Sequence, residues 1–262
     1  MKKNILLLLT IFFIPIFISL KVAGNRWIIN KQNGYTIFYT TKDYSSINNY
    51  KNYFEKGKES VTDFFQSPFY NEFNIYIHPT RESLDSTWQK DWNMPGFKSQ
   101  CWMVASGIAE KLDIISPKMW DSLACEHSYA DSIETQNIIT HELFHVFHGQ
   151  QNESPDFSNI TGIDWFVEGL ATYASGQCDT IRISEVQKAL LGNDVPETLN
   201  GFWSGNLRYG LSGTVVMYID NQYGREKLFS LLKYNNLEEL LISLGTTESE
   251  IIVGWRKFIN EL

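Results

Sequence analysis

The segment 137–150, "NIITHELFHVFHGQ", contains three of the five histidines in this 262-residue chain. If the segment forms an α-helix, His141 and His145 lie one turn apart on the same face and can bind one divalent cation together. Glu142 is rotated by about 100° from His141, so its carboxylate lies beside such an ion and can accept a proton from water. The segment constrains the fold, because a third ligand must come from another part of the chain.

Catalytic zinc sites have three protein ligands and one open position. His148 lies about 10 Å beyond His141 along a straight helix, so we expect it to be structural or to lie at the edge of a cleft. A third histidine six residues after His145 would be an alternative ligand, but Gln151 occupies that position.

Glu168, in "DWFVEGLATYAS", is the better candidate for the third ligand. The polar loop 149–163 lets the chain reverse, so a short helix carrying Glu168 can lie against the histidine helix, with Gly169 and Ala171 allowing close approach. The sequence therefore predicts one zinc ion, Zn2+, as cofactor. Its predicted ligands are His141, His145 and Glu168, with Glu142 as the general base.

The order of the other elements predicts an α+β fold. The segments 35–40 and 73–79 and the block 101–116 are typical of strands, and 46–65 has helical spacing. After residue 131 the chain is mainly helical, except for 176–203, which we expect to be irregular. We expect a single domain over 25–262, with a strand-rich half over 25–130 and a helical half over 131–262.

The N-terminal segment 1–24 has two lysines, an apolar run and small residues at its end. This order is typical of a secretory signal peptide, and the apolar run is short for a membrane span, although an uncleaved N-terminal anchor is the alternative. We therefore expect a secreted or extracytoplasmic protein that meets a membrane only if this segment is retained. Among Cys101, Cys125 and Cys178, an oxidising compartment allows one disulfide, and the sequence does not choose the pair.

The formal net charge is −8, and the chain has no cluster of basic residues. Binding to phosphate needs a basic surface, so a nucleic-acid partner is excluded. The sequence does not indicate an oligomeric state.

The pair "HELFH" and "WFVEGLATY" resembles the gluzincin pattern, and residues 165–173 are similar to the WxxEGxAxY segment of aminopeptidase-N-like and peptidase-MA-like domains. The resemblance implies a zincin-like fold, in which a small mixed β-sheet packs on the HExxH helix and a mainly helical C-terminal half follows. It implies hydrolysis of a peptide or protein substrate by a zinc-activated water. It also suggests that residues 102–109 form the edge strand along which the substrate aligns, with an ordinary strand of the sheet core as the equal alternative.

The resemblance favours Tyr209 as the group that stabilises the oxyanion, with His127, Tyr173 and Arg208 as weaker candidates. Thr172 stands where thermolysin-like enzymes carry an aspartate that orients a histidine, so another group must orient the imidazoles. The aminopeptidase motif GxMEN is not present, since 105–110 is only a faint match, and an endopeptidase is therefore favoured. The alternative function is a non-catalytic binding or structural module with the same fold.

Overall fold

The computed structural model describes residues 21–22 and 25–262, so the expected signal segment lies almost entirely outside the described residues. The strands are β1 Lys21–Val22, β2 Asn25–Arg26, β3 Ile28–Lys31, β4 Tyr35–Tyr39, β5 Phe73–His78, β6 Ala105–Ile108 and β7 Lys111–Ile115. The helices are α1 Ile47–Phe65, α2 Arg81–Asp91, α3 Trp120–Leu123, α4 Ser132–Gln151, α5 Asp164–Ala174, α6 Thr180–Leu191, α7 Leu199–Phe202, α8 Arg208–Tyr223, α9 Arg225–Leu231, α10 Leu237–Leu244 and α11 Glu248–Glu261. Of the helices in this described part, none combines the length and the apolar character that crossing a bilayer requires.

Strands β3 to β7 form one mixed five-stranded sheet in the order β3-β4-β5-β7-β6. The central neighbours are parallel, whereas β3 and β6 run antiparallel at the two edges. Alternate residues of β4, among them Tyr35 and Ile37, point into the core, as the period of two requires. With a mostly helical remainder, this sheet confirms the α+β class.

Helices α1 and α4 pack against each other beside the sheet. Gly57 of α1 allows this approach, because a Cβ at that position would lie 2.7 Å from the Leu143 side chain. Helix α4 is buried at every position from Ile138 to Gly149, so its polar residues lie inside the molecule rather than on its surface. A helix surrounded on all sides in this way can hold its histidines in fixed positions.

In the helical half, α5 packs most extensively on α8. We expected Gly169 to bring α5 close to the histidine helix. Instead, Gly169 faces α8, where a Cβ would lie 2.4 Å from the Ser212 carbonyl oxygen. Ala171 is buried on the same helix. The close approach is therefore real, but its partner was predicted wrongly.

Most other elements agree with the sequence patterns. The main correction is in residues 176–203, which we expected to be irregular and which contain α6 and α7. Helix α2 was not predicted either. At the start of α4, Asp131 accepts hydrogen bonds from the backbone N–H groups of Ile133 and Glu134. The Glu134 carboxylate accepts a hydrogen bond from His127.

The structure pairs Cys101 with Cys125 in a disulfide, with Cα atoms 5.3 Å apart, and leaves Cys178 as a buried thiol. The bridge joins the segment before β6 to the loop that leads into α4. The guanidinium of Arg81 adds hydrogen bonds to backbone carbonyls on both sides of the bridge, including those of Cys101 and Leu123. These bonds hold the segments around Cys101 and Cys125 in place. Together these two segments form the wall in front of β6.

Candidate metal centre

Helix α4 carries His141 and His145 on one face, and α5 places Glu168 opposite them. The Nε2 atoms of the two histidines are 3.1 Å apart. The Glu168 Oε2 atom lies 3.4 Å from the His141 Nε2 and 3.5 Å from the His145 Nε2. The structure thus brings together the three residues that the sequence singled out, at the distances a shared ion requires.

These distances fit zinc. Tetrahedral zinc with ligand bonds of about 2.0–2.1 Å separates its ligand atoms by about 3.3 Å. The three observed separations lie within a few tenths of an ångström of that value. Two neutral imidazoles and one carboxylate are also a donor set that zinc prefers in catalytic sites.

The two imidazoles also lower the pKa of the third candidate ligand, Glu168. Burial of the Glu168 carboxyl would raise its pKa, but the adjacent His145 and His141 imidazoles hold this pKa well below its usual value. The carboxylate form is the one that binds a metal ion.

The group that orients His141 is Gln177, in the turn after α5. The His141 Nδ1–H donates to the Gln177 Oε1 over 2.8 Å, which leaves the Nε2 lone pair directed toward the centre. The Ser175 hydroxyl donates to the same Oε1 atom over 3.3 Å. Sequence reasoning did not find Gln177, and an amide in a turn carries no sequence signal for this role.

Glu142 lies beside the candidate ligands and not among them. Its side chain is buried, and burial, with a smaller contribution from Glu168, raises its pKa to about 7 against the opposing effect of His141. One carboxylate oxygen, Oε2, is buried and has no hydrogen-bond partner among the described residues. The backbone N–H of Gly107 in β6 lies close enough to this carboxylate to lower its pKa slightly.

Strand β6 packs directly on the histidine helix through Gly107. A Cβ at Gly107 would lie 2.2 Å from the Glu142 carbonyl oxygen, so only glycine fits there. Of the expected segment 102–109, residues 105–108 form β6, and among the described strands β6 pairs with β7 alone and so lies at the edge of the sheet.

The hydrogen-bond pattern shows which backbone groups of β6 face outward. The Ile115 N–H donates to the Val104 carbonyl, so Val104 faces β7. In an antiparallel ladder, residues alternate between facing the partner and facing away. Ala105, Gly107 and Ala109 therefore point their N–H and C=O groups toward the open edge, above the histidines.

The far end of this edge is closed. The Ala109 N–H donates to the Pro155 carbonyl, and the Gln150 side chain donates to the Ala109 carbonyl. In the described part of the chain no strand pairs with the edge from Ala105 to Gly107, so this stretch is open to an extended ligand. It lines a cleft of about 920 Å³ that also contains His141, Glu142, His145 and Glu168.

Tyr209, the second residue of α8, lines the same cleft, with its ring centroid 6.2 Å from that of His141. Burial and the nearby Glu168 carboxylate raise the pKa of its phenol above the usual value, so the hydroxyl keeps its proton. Arg208 and His127 also line the cleft. Tyr173, the remaining candidate, donates its hydroxyl to Asp220.

His148 does not take part in the centre. It is 1% exposed, its Nε2–H donates to the Leu232 carbonyl, and its ring packs on Phe157 and Phe166. Burial lowers its pKa to about 3, so the ring is neutral. The expectation of a structural role for His148 agrees with these contacts.

No protein-family model matches the chain, and neither does any curated protein. Among solved structures, the chain is similar to a crystal structure of a two-domain M1 zinc metallopeptidase, a mutant bound to L-arginine. The TM-score is 0.44 and the sequence identity is 12%, over 86% of this chain and 48% of that one. The chain therefore spans about half the length of that structure.

Proposed function

We propose that this protein is a zinc-dependent metallopeptidase of the zincin type. The observation that carries the proposal is the convergence of His141 Nε2, His145 Nε2 and Glu168 Oε2 within 3.1–3.5 Å of one another. The second support is the position of Glu142 beside them, under an open strand edge. These are the parts that hydrolysis by an activated water needs.

In this proposal His141, His145 and Glu168 hold one zinc ion, which would lower the pKa of a bound water and polarise the carbonyl of the substrate. Glu142 accepts a proton from the attacking water on its carboxylate and delivers it to the nitrogen of the departing amine. Gln177 accepts the hydrogen bond from the His141 Nδ1–H, so that the His141 Nε2 would stay available to the metal ion.

The outward N–H and C=O groups of Ala105 and the outward C=O of Gly107 would pair with an extended peptide and hold its carbonyl carbon next to Glu142. The Tyr209 hydroxyl would donate a hydrogen bond to the carbonyl oxygen as negative charge develops on it. Such a substrate is a peptide or an unfolded segment, because only an extended backbone can pair along a strand edge.

We also propose that the protein works outside the cytoplasm. The Cys101–Cys125 disulfide supports this location, because reducing compartments disfavour structural disulfides. The N-terminal segment would serve as the export signal or as an anchor. The endopeptidase preference stays a prediction, and mapping of cleavage products from a peptide library would test it.

The deciding experiment compares Glu142→Gln with the wild type. We expect the variant to bind one equivalent of zinc but to cleave an unfolded test protein about 10²- to 10⁴-fold more slowly, because the ligands remain and the base is lost. Glu153→Gln, on the exposed loop after α4, is the matched control and should keep full activity. A chelator should stop wild-type cleavage.

Two outcomes would contradict the proposal. Full turnover by Glu142→Gln would exclude Glu142 as the base. Stoichiometric zinc without cleavage of any library peptide would favour the non-catalytic binding module.

A further inference from the structure

Arg208 stands out among the residues of the cleft. Its guanidinium lies close to aromatic rings on two sides of the cleft, 4.7 Å from the ring centroid of Trp102 and 5.4 Å from that of Trp203. The Tyr209 ring centroid is 5.3 Å away. Trp102 belongs to the wall in front of β6, whereas Trp203 and Tyr209 belong to the helical half. Arg208 therefore bridges the two walls at one end of the open edge.

Stacking uses the faces of a guanidinium, and its N–H donors lie in the plane of the group. Within residues 25–262 no carboxylate lies at ion-pair distance from Arg208, and its Nε atom is buried without a partner. The guanidinium lies within hydrogen-bond reach of the Tyr209 hydroxyl. A charged donor that is partly removed from water and lacks an anion is suited to bind one.

The other charged residues of the cleft show why Arg208 differs from its neighbours. Five carboxylates line the cleft, and Arg182 is the other cation there. The Arg182 guanidinium already donates to the Gln177 carbonyl over 2.7 Å. Of the two cations that line the cleft, Arg208 is therefore the one available to an anionic group on a ligand.

We propose, on the basis of the metallopeptidase function above, that Arg208 recognises a carboxylate of the peptide substrate, a few residues along the chain from the bond held at the histidines. The planar guanidinium can donate two parallel hydrogen bonds to a carboxylate. The carboxylate is either the C-terminus of the peptide or an acidic side chain. In the first case the protein trims C-terminal ends, and in the second it cleaves near acidic residues.

The test measures binding, so that it does not depend on turnover. Zinc-loaded Glu142→Gln protein is titrated calorimetrically with four N-acetylated peptides of one alanine-rich sequence. These have a free C-terminus, a C-terminal amide, the amide with one internal Asp, and the amide with Asn in its place. We expect a carboxylate-bearing peptide to bind about 10- to 100-fold more tightly than its neutral partner, as loss of a charged hydrogen bond implies.

In Glu142→Gln protein that also carries Arg208→Met, we expect the carboxylate-bearing peptide and its neutral partner to bind with a ratio of affinities of about one. Arg208→Lys, which keeps the charge but loses the planar fork, should give an intermediate ratio. Arg256→Met removes one positive charge from α11, outside the cleft, and should leave the ratio unchanged. Tighter binding of the Asp peptide than of the Asn peptide identifies an acidic side chain as the partner of Arg208. Tight binding of the peptide with a free C-terminus alone identifies the C-terminal carboxylate as the partner.

A ratio near one before any change at Arg208, or a ratio that Arg208→Met leaves unchanged, overturns the proposal. If the wild type cleaves these peptides without such discrimination, the metallopeptidase function stands and only the role of Arg208 falls. If no peptide is bound by Glu142→Gln and none is cleaved by the wild type, both proposals fall.

Discussion

Gln177 shows how a single side chain completes the candidate centre. Its Oε1 accepts the His141 Nδ1–H, and its position is fixed by the backbone bond from its N–H to the Thr172 carbonyl. A neutral amide polarises the imidazole less than a carboxylate would. Gln177 therefore orients the ring of His141 but raises the basicity of its Nε2 less than an aspartate would. Thr172 stands where thermolysin-like enzymes carry an aspartate; it is buried, and its hydroxyl has no hydrogen-bond partner among the described residues.

We predict that Gln177→Leu weakens zinc binding about 10- to 100-fold, because the ring loses the acceptor that sets its tautomer. Competition with a fluorescent zinc chelator measures the affinity directly. Gln177→Glu keeps an acceptor and should retain tight binding. Gln187→Leu, which removes an amide that bonds the Ile259 carbonyl on the far side of α6, is the matched control. Equal zinc affinity of Gln177→Leu and the wild type would refute this role.

At the scale of elements, the contact between β6 and α4 places the open strand edge above the histidines. Gly107 makes the contact possible, since any side chain there would meet the backbone of α4 at Glu142. The same contact brings the Gly107 N–H close to the Glu142 carboxylate. The position of the proposed base and that of the proposed substrate strand therefore depend on one glycine.

We predict that Gly107→Ala destabilises the protein by about 1–3 kcal/mol, as overpacking of a core does, and lowers peptide turnover by moving β6 away from Glu142. Urea unfolding measures the first effect, and a peptide assay measures the second. Gly192→Ala is the control, because a Cβ at Gly192 would meet its neighbours at 3.5 Å or more. A Gly107→Ala variant as stable and as active as this control would contradict the close contact.

Helix α6 illustrates why one element was missed. Asp179 is the N-cap of this helix and accepts hydrogen bonds from two backbone N–H groups at the helix start. However, Ile181 and Leu191 are exposed, so the apolar residues of the segment do not follow a single helical face. The periodicity failed as a guide because apolar residues on a surface carry no information about the core.

For the molecule as a whole, the Cys101–Cys125 disulfide connects the wall in front of β6 to the loop before α4. It closes a loop with a sequence separation of 24 residues. Closing a loop of this size in the unfolded chain corresponds to about 3 kcal/mol of stability. The wall it fixes includes Trp102, which stacks on Arg208.

We predict that replacing both cysteines, Cys101→Ser with Cys125→Ser, lowers the free energy of unfolding by about 3 kcal/mol. Urea unfolding with and without reductant measures the effect. Reductant should destabilise the wild type by the same amount and leave the double variant unchanged, since Cys178 has no partner. Identical unfolding curves of the wild type and the double variant under oxidising conditions would show that the bridge contributes no stability.

Local spacing was enough to predict the residues of the candidate centre. Two histidines four residues apart share a helical face in any α-helix. The proximity of Glu168 to them followed from a loop long enough to reverse the chain. These features depend on residues that are close in sequence or on one chain reversal, which is why they could be read from the sequence.

Tertiary structure alone decided the rest: the disulfide partner of Cys101, the acceptor for His141, the partner of Gly169 and the placement of Arg208 between the walls. Each is a contact between segments whose spacing in the sequence does not determine their distance in space. Their proximity results from the packing of the sheet, α4 and the helical half around one core, and no local pattern encodes that packing.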